Sequence, residues 1–346
     1  MAVDPAELQQ RVRAEGLLEG DAPVVAMVSG GRDSVCLLDV AAALCGAGRV
    51  HALHVNYGLR GADSVADQRH TAELCAALGV GLELVNVGAR ARARALASGN
   101  LQAWARDLRY EAADGLADRL DGADERRVNR PEGQRGLDRR PPALIATGHT
   151  ASDQLETILY RLAASPGRRA LLGMAPKDGR IVRPLLWVTR EQTAAYCRAR
   201  GLPWREDRSN DDERYARARV RRRVVPALLS VHPAAQGSVL RTAAQLREES
   251  SLLSELVDRE LGGADAIAVQ RLADLHPALA RLVVVRLAER AAGEPVPQAG
   301  ERVPEILALA GRSSLGRGGR AELHVGGNVS ATLAGGELTM VRLPPR

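Results

Sequence analysis

The sequence of 346 residues predicts an α/β protein, a doubly wound parallel sheet followed by a smaller α+β C-terminal domain. Three features carry that expectation. Short apolar runs alternate with segments of helical period, the pattern of parallel strands whose crossover helices cover both sheet faces. A glycine-rich turn follows the first apolar run and opens the first long helix, where such sheets take their ligands. Beyond Pro233 the alternation gives way to long amphipathic segments and then to Gly-rich stretches of period two. Two domains are therefore expected, residues 1–229 and 230–346, in keeping with roughly 100–200 residues per domain.

Each element follows from its local pattern. A short opening helix precedes Val24–Val28, an apolar run bounded by Pro23 and Ser29-Gly30-Gly31 that reads as a buried strand ending in a tight turn. Val35, Leu37, Leu38, Ala41, Ala42 and Leu44 then recur at near-helical spacing until Gly46. His51–Asn56 is a second strand, Val65–Leu78 a helix and Leu82–Val87 a third strand, which leaves Arg90, Arg92 and Arg94 in the following loop. Asn100 is the N-cap of the next helix, with Leu101, Trp104, Ala105 and Leu108 on one face and Gln102, Arg106 and Arg109 on the other.

From Asp121 to Pro142 periodicity is lost among Arg, Gly, Pro and acids, so a disordered insertion over 122–142 is expected before the strand Ala143–Thr147. A helix after His149 reaches about Ala164. A Gly/Pro turn, a short strand near Ile181 and Val182, and a helix from Glu191 to Arg200 follow. The charge-dense stretch Trp204–Arg223 ends in a helix stopped near Pro226. The C-terminal domain reads as helices over 234–261, 267–291 and 303–310, then strands Ala321–Val325, Val329–Leu333 and Leu338–Val341 in a small antiparallel sheet.

Composition excludes several classes. With 45% apolar and 26% charged residues the protein is not wholly disordered, and no apolar stretch approaches the ~20 residues that cross a bilayer. The polar, mixed-charge start Met1–Gln10 lacks a secretory pattern, so a cytoplasmic protein without membrane attachment is expected. Cys36, Cys45, Cys75 and Cys197 show no CxxC or CxxH spacing, against a zinc ribbon or an iron–sulfur cluster. The net charge is +6, and Lys177 is the only lysine, so 47 of the 48 basic residues are arginine. Fixed positive charge suits a polyanion, although the lack of Phe and abundance of Ala also fit a GC-rich codon bias.

The turn Ser29-Gly30-Gly31-Arg32-Asp33-Ser34 lies between a buried strand and a helix N-terminus. Its glycines admit a close phosphate, its successive N–H groups form an anion nest, and the helix dipole favours negative charge. Neither Gly-Lys-Ser/Thr nor GxGxxG is present, which counts against P-loop kinases, GTPases and dinucleotide enzymes.

SGGRDS after a first strand resembles the PP-loop of the ATP pyrophosphatase superfamily, a Rossmann-like fold. Further segments narrow the resemblance to the tRNA(Ile)-lysidine synthetases: HVNYGLRG (54–61), NLQAWARDLRY (100–110), ATGHTASDQLET (146–157), LLGMAP (171–176), RPLL (183–186) and WREDRSNDDERYARARVR (204–221). The resemblance implies ATP-dependent attachment of free L-lysine to C2 of the wobble cytidine of tRNA(Ile) with a CAU anticodon. That reaction makes lysidine through an adenylated cytidine, with release of AMP and pyrophosphate. ATP as co-substrate and Mg2+ are implied with it, and a homodimer is compatible with the sequence but not readable from it.

The same resemblance distributes roles. Ser29, Gly30, Gly31, Arg32, Asp33 and Ser34 would hold the phosphates, Asp33 would also ligate magnesium, and His54 lies near the expected nucleotide. Asp153 and Glu156, three apart on one helix side with Tyr160, would bind the amino groups of lysine, with Leu155, Ile158, Leu159 and Leu162 turned to the core. Arg109 would pair the lysine carboxylate, and His149 would orient the adenylate or a neighbouring carboxylate. Arg217, Arg219, Arg221 and Arg222 would face tRNA phosphates while Val220, Val224 and Leu228 form an apolar stripe.

Bland readings stand beside these: Asp33 as a helix-start residue, the acids as a solvated face, the arginines as balanced by Glu206, Asp207, Asp211, Asp212 and Glu213. Tyr57 stands where the family often has a second histidine, and the insertion over 122–142 is a further departure. Two alternatives remain: a sulfur-inserting tRNA thiolase, which would need a suitably spaced cysteine pair, and a catalytically idle tRNA-binding homologue.

Overall fold

A computed structural model describes residues 3–97, 99–127, 141–164, 167–206, 213–312 and 320–344. The protein divides into two compact units, Met1–Ala243 and Ala244–Arg346.

In the first unit, α1 (Pro5–Ala14) is capped by Asp4, whose carboxylate accepts from the Ala6 N–H. Then come β1 (Val24–Met27), α2 (Arg32–Cys45), β2 (Val50–Asn56), α3 (Ala62–Leu78), β3 (Gly81–Asn86), α4 (Ala89–Ala97), α5 (Leu101–Arg127), β4 (Leu144–Ala146), α6 (Ala151–Ala164) and α7 (Arg168–Leu171). Two short strands, β5 (Lys177–Asp178) and β6 (Ile181–Val182), precede α8 (Arg190–Ala199). The sheet order is β3-β2-β1-β4-β6-β5, parallel except for β5. The class expected from the sequence is therefore the class observed.

Alternate residues of β1 feed different cores, which is why this strand has no polar face. Val24, Ala26 and Val28 pack with α2 residues and with Tyr196 and Cys197 of α8, while Val25 and Met27 pack with Ala113, Leu116 and Ala117 of α5. Strand order reverses between β1 and β4, so the turns after these two strands flank the crevice where ligands of such sheets bind. They approach closely: a Cβ on Gly148 would lie 3.1 Å from the carbonyl carbon and oxygen of Asp33, a contact only glycine avoids.

Several expectations change. Arg90, Arg92 and Arg94 lie on the helix α4, not in a loop, and Arg92 donates to the Gly58 carbonyl at 3.3 Å. The helix α5 continues to Arg127, past the expected start of the insertion, and Asp121 accepts from the Ala143 N–H at 2.8 Å. Residues 128–140 of that insertion lie outside the described residues.

Pro226 does not stop its helix. The backbone runs through α9 (Ala216–Arg219), a π-turn (Val220–Val224) and α10 (Val225–Val231). The wider turn precedes the proline, whose missing N–H and ring would disrupt a regular α-helical turn there. The extra residue shifts the phase, so Ala218 and Val220 are buried while Val224 is exposed, against the expected stripe.

In the second unit, the C-terminal part of α11 (Ala235–Leu261) supplies Val257 and Leu261 to a core shared with α13 (Pro277–Ala292) and α14 (Val303–Arg312). The long helix expected over 267–291 is broken into β7 (Ala266–Ala268), α12 (Val269–Asp274) and α13. Pro277 forces His276 into an extended conformation, and the His276 imidazole caps α13 by accepting from the Ala278 N–H at 3.2 Å. The strands β8 (Arg320–Gly326), β9 (Val329–Ala334) and β10 (Glu337–Arg342) complete an antiparallel sheet of order β7-β10-β9-β8.

Candidate active site

The phosphate turn is built by its own serines. Ser34 Oγ donates to the Gly31 carbonyl at 2.8 Å and accepts from the Ser29 N–H at 3.1 Å, and Ser29 Oγ accepts from the Gly31 N–H at 3.4 Å. Two of the N–H groups expected to face phosphate are thus engaged within the turn. Gly30 has φ +84°, a left-handed conformation, and Gly31 starts α2 without a side-chain cap, so the dipole end of the helix faces the crevice. His54, 5% exposed, braces the base of the turn: its Nδ1 lies 2.9 Å from the Val28 carbonyl and therefore donates to it. Burial holds the pKa of His54 below the usual histidine value, so it is neutral at pH 7.

Asp33 points into the crevice. Its Oδ1 accepts from Thr193 Oγ1 at 2.5 Å and its Oδ2 lies 3.7 Å from Arg190 Nε. Burial raises its pKa, Thr193 opposes this, and the nearby Asp153 raises it again.

Arg190 organises the acids. Its Nη2 donates to Asp153 at 2.6 Å and its Nη1 to Glu156 at 2.9 Å, so one guanidinium spans Asp33, Asp153 and Glu156. Burial alone would push the Asp153 carboxyl up, but Arg190 and the N–H and hydroxyl of Thr150 outweigh it and hold the pKa low.

Glu156 is 3% exposed, not on a solvated face, because α9 and the π-turn pack over that side of α6. Arg221 turns inward onto it, Nε to Oε1 at 2.7 Å and Nη2 to Oε2 at 3.0 Å, a bidentate pair. Leu162, expected in the core, is 52% exposed. Both acids assigned to substrate ammonium groups thus carry internal guanidinium partners. An incoming amine must share or displace them.

The remaining expected residues surround this cluster. His149 Nδ1 is 2.8 Å from Thr147 Oγ1, and its pKa falls to about 4, chiefly through burial, with Arg183, Arg109 and Arg106 adding to the effect against Asp153. It is neutral at pH 7. Arg109 lies within the electrostatic reach of both His149 and Tyr57, and its Nε is closed off from solvent without a protein partner. Tyr57 donates to the Ala105 carbonyl at 2.7 Å and meets Trp104 edge-on at 5.9 Å, so it braces α5. Gln154 brackets Met174 through its N–H and carbonyl at 2.6 and 2.9 Å, which fixes the segment Leu171–Pro176 beside α6.

Arg217 reaches Thr157 Oγ1 at 3.4 Å, and Arg219 donates to the carbonyls of Glu213 and Arg214. Arg222 lies 3.8 Å from Glu213 and is 53% exposed at its side chain. Asp207, Asp211 and Asp212 lie outside the described residues.

The sequence reading missed α8 as a contributor. Arg190 and Thr193 meet Asp33, Cys197 Sγ lies 3.6 Å from the Arg32 carbonyl, and Tyr196 and Arg200 both bond Asp39. The spacing 190, 193, 196/197, 200 is one helical face, and it lies along α2. The polar residues at that period were the available signal.

A glycine turn feeding a helix at the switch point of a parallel sheet, with carboxylates converging on it, defines a phosphate-handling α/β domain. The chain belongs to the PP-loop domain family, whose model matches residues 6–121 and 135–228. Within it the protein is similar to tRNA(Ile)-lysidine synthases. It is 35% identical to that of Pseudomonas syringae pv. tomato over 69% of this chain and 48% of the relative. For that of Symbiobacterium thermophilum the identity is 34%, over 88% of this chain and 63% of the relative, and for that of Bacillus subtilis 32%, over 69% and 48%. The chain thus spans between 48% and 63% of these relatives' length. Among solved structures, the U34-tRNA thiolase NcsA from Methanococcus maripaludis, with its [4Fe-4S] cluster, superposes with TM-score 0.50 at 16% identity, over 70% of this chain and 78% of that one. That likeness is one of fold. Among the described residues no helix is long and apolar enough to cross a membrane.

Proposed function

We propose that the protein uses ATP to attach free L-lysine to C2 of the wobble cytidine of tRNA(Ile) with a CAU anticodon. The cytidine O2 attacks the α-phosphorus and pyrophosphate leaves. An amine of lysine then forms the C–N bond at C2, loses a proton, and AMP departs with the oxygen. The observation that carries this reading is the span of Arg190, whose one guanidinium links Asp33 at the phosphate turn to Asp153 and Glu156. An amine held by that acidic pair lies next to the activated phosphate, as the second step requires. Arg109, with its unpartnered Nε, is the group on this wall for the lysine carboxylate. Neutral His149 orients Thr147 at the end of β4.

Magnesium fits Asp33, a hard carboxylate oxygen in a half-buried site, with phosphate and water oxygens completing the shell; among the described residues no cluster of three ligand side chains would hold a metal alone. Bound there, it would neutralise charge building on the phosphates.

With ATP, Mg2+ and radiolabelled lysine, the protein is expected to label isoleucine tRNA bearing CAU and not methionine tRNA of the same anticodon. No label alongside an active control enzyme sinks the reading, and label from a sulfur donor instead would favour a thiolase. The tRNA face is tested separately. Arg222→Ala is expected to weaken tRNA binding and reduce the salt slope by about 1. Arg221→Ala should leave the slope unchanged, because that guanidinium sits on Glu156; equal changes for both would refute the assignment.

A further inference from the structure

Three arginines on the β6 side of the crevice stand apart from the acids that Arg190 and Arg221 hold. Arg183 follows the carboxyl end of β6 and is 6% exposed. Its Nη1 donates to the Ala175 carbonyl at 2.6 Å, and its Nε is closed off from solvent without a protein partner. Arg161, in the last turn of α6, donates to the Gly173 carbonyl at 2.6 Å. Arg217 on α9 donates to the hydroxyl of Thr157, one turn before Arg161, and is exposed. Each of these contacts is to a neutral oxygen, and among the described residues none of the three arginines has a carboxylate partner. Burial lowers the pKa of Arg161, and the charges of Arg217 and Arg183 lower it further, so Arg161 is the common neighbour of the other two. The C-terminal dipole of α6 favours a cation at Arg161, but a partial charge does not neutralise three guanidinium groups. Holding the segment Gly173–Ala175 does not require charge either. The residue between them, Met174, is held by the neutral amide of Gln154. A buried guanidinium with no counter-charge is costly, and an arriving anion relieves that cost.

We infer that Arg217, Arg161 and Arg183 form a track for the RNA backbone, with Arg183 binding the phosphate beside the reacting cytidine; this rests on the proposed tRNA substrate. Their exposure falls from Arg217, through half-buried Arg161, to Arg183 at the floor, the order in which a strand entering from solvent meets them. The end of β6 lies two strands from the phosphate turn after β1, with β4 between them, a distance of about 10 Å. A cytidine whose base reaches that turn keeps its own backbone phosphates on the same scale. A polyanion brings a charge for each arginine and is positioned by them, while the base splayed from the loop is left for the chemistry. Free lysine, with two ammonium groups and one carboxylate, has a net positive charge that unpaired guanidinium groups repel.

Binding of isoleucine tRNA to the full-length protein, with neither ATP nor lysine present, tests this. Arg183→Met and Arg161→Met are each expected to weaken tRNA about tenfold and to reduce the salt slope by about 1. Melting curves confirm folding, and little loss is expected because each variant removes an unbalanced charge and keeps an apolar stem. A second measurement leaves the protein unchanged. The tRNA is assembled by ligation with a single uncharged methylphosphonate in place of the phosphate on one side or the other of the wobble cytidine. One of these two RNAs is expected to bind the wild type about tenfold more weakly and to lose nothing further with Arg183→Met, because both changes delete the same contact. Wild-type affinity for both modified RNAs overturns the inference, as do additive losses with Arg183→Met. So do variants that bind tRNA normally but need more lysine, which would give the site to the lysine carboxylate, or a wild-type protein that does not bind tRNA. The expected tRNA losses in a protein that fails the lysine-labelling assay would retire the proposed reaction and leave this site standing. Normal labelling with unchanged tRNA binding in both variants would do the reverse.

Discussion

Asp33→Asn is expected to reduce tRNA-dependent release of pyrophosphate from ATP by about 10²–10³-fold, the scale of losing one preorganised electrostatic contact in a closed site. The folded protein should not suffer. Burial raises the Asp33 pKa, and the neighbouring Asp153 raises it further, so the charged form costs stability. Asparagine keeps a carbonyl oxygen to accept from Thr193 Oγ1. The sign follows from linkage. A carboxyl whose folded pKa lies above its unfolded value binds protons more readily when folded, so wild-type stability falls as pH rises from the ordinary carboxylate range through the raised value. Above that window the variant should match or exceed the wild type in melting temperature. Below it the difference should close. A variant that loses activity and also melts well below wild type at pH 7 would show Asp33 to be a structural anchor, and the reading of the turn as a reaction site would lose its main support.

This pairing of lost activity with retained stability bears on what sequence could reveal. The phosphate turn was legible because its requirements are local: a buried strand, two glycines and a helix start within a dozen residues. The sheet was legible for the same reason, since β1 reads as a continuous apolar run, the pattern of a strand covered on both faces. The partners of the acids were not. Asp153 and Glu156 display the right spacing on α6, but nothing in that helix says that the π-turn and α9 will cover it, so Glu156 reads as solvated and is buried. Arg221 reads as one more outward arginine in a basic run, and the extra residue of the π-turn rotates it inward. Arg190 lies 37 residues from Asp153 and 34 from Glu156, a separation across which no helical period operates. Tertiary packing decided all three.

Three arginines that hold buried acids also refine the meaning of the composition. Arg190, Arg205 and Arg221 bind carboxylates through forks that lysine lacks, and each of them shares a carboxylate with a second arginine. A bias toward arginine in the genome supplies the residue, and the buried acids give it work at these positions.

Glu156→Gln should behave in the opposite way to Asp33→Asn. The carboxylate of Glu156 accepts from Arg190 and bidentately from Arg221, and its side chain is 4% exposed. Replacing it with an amide leaves two guanidinium groups facing each other across a neutral, partly mismatched partner. Breaking one side of a buried ion pair costs about 3–5 kcal/mol, and in a domain of this size each kcal/mol moves the melting temperature about 2–4 °C, so a fall on the order of 10 °C is expected. Lysine transfer should be lost with it, while ATP splitting, which depends on Asp33 and the turn, should be reduced far less. Glu156→Gln combined with Arg221→Gln separates the two effects. Removing the stranded cation should restore part of the stability, giving a coupling of at least about 1 kcal/mol in a double-mutant cycle, without restoring lysine transfer. Additive stability losses would mean that Arg221 does not rely on Glu156. Recovery of transfer together with stability would mean that Glu156 serves the fold alone, and the lysine amine would have to be sought at Asp153.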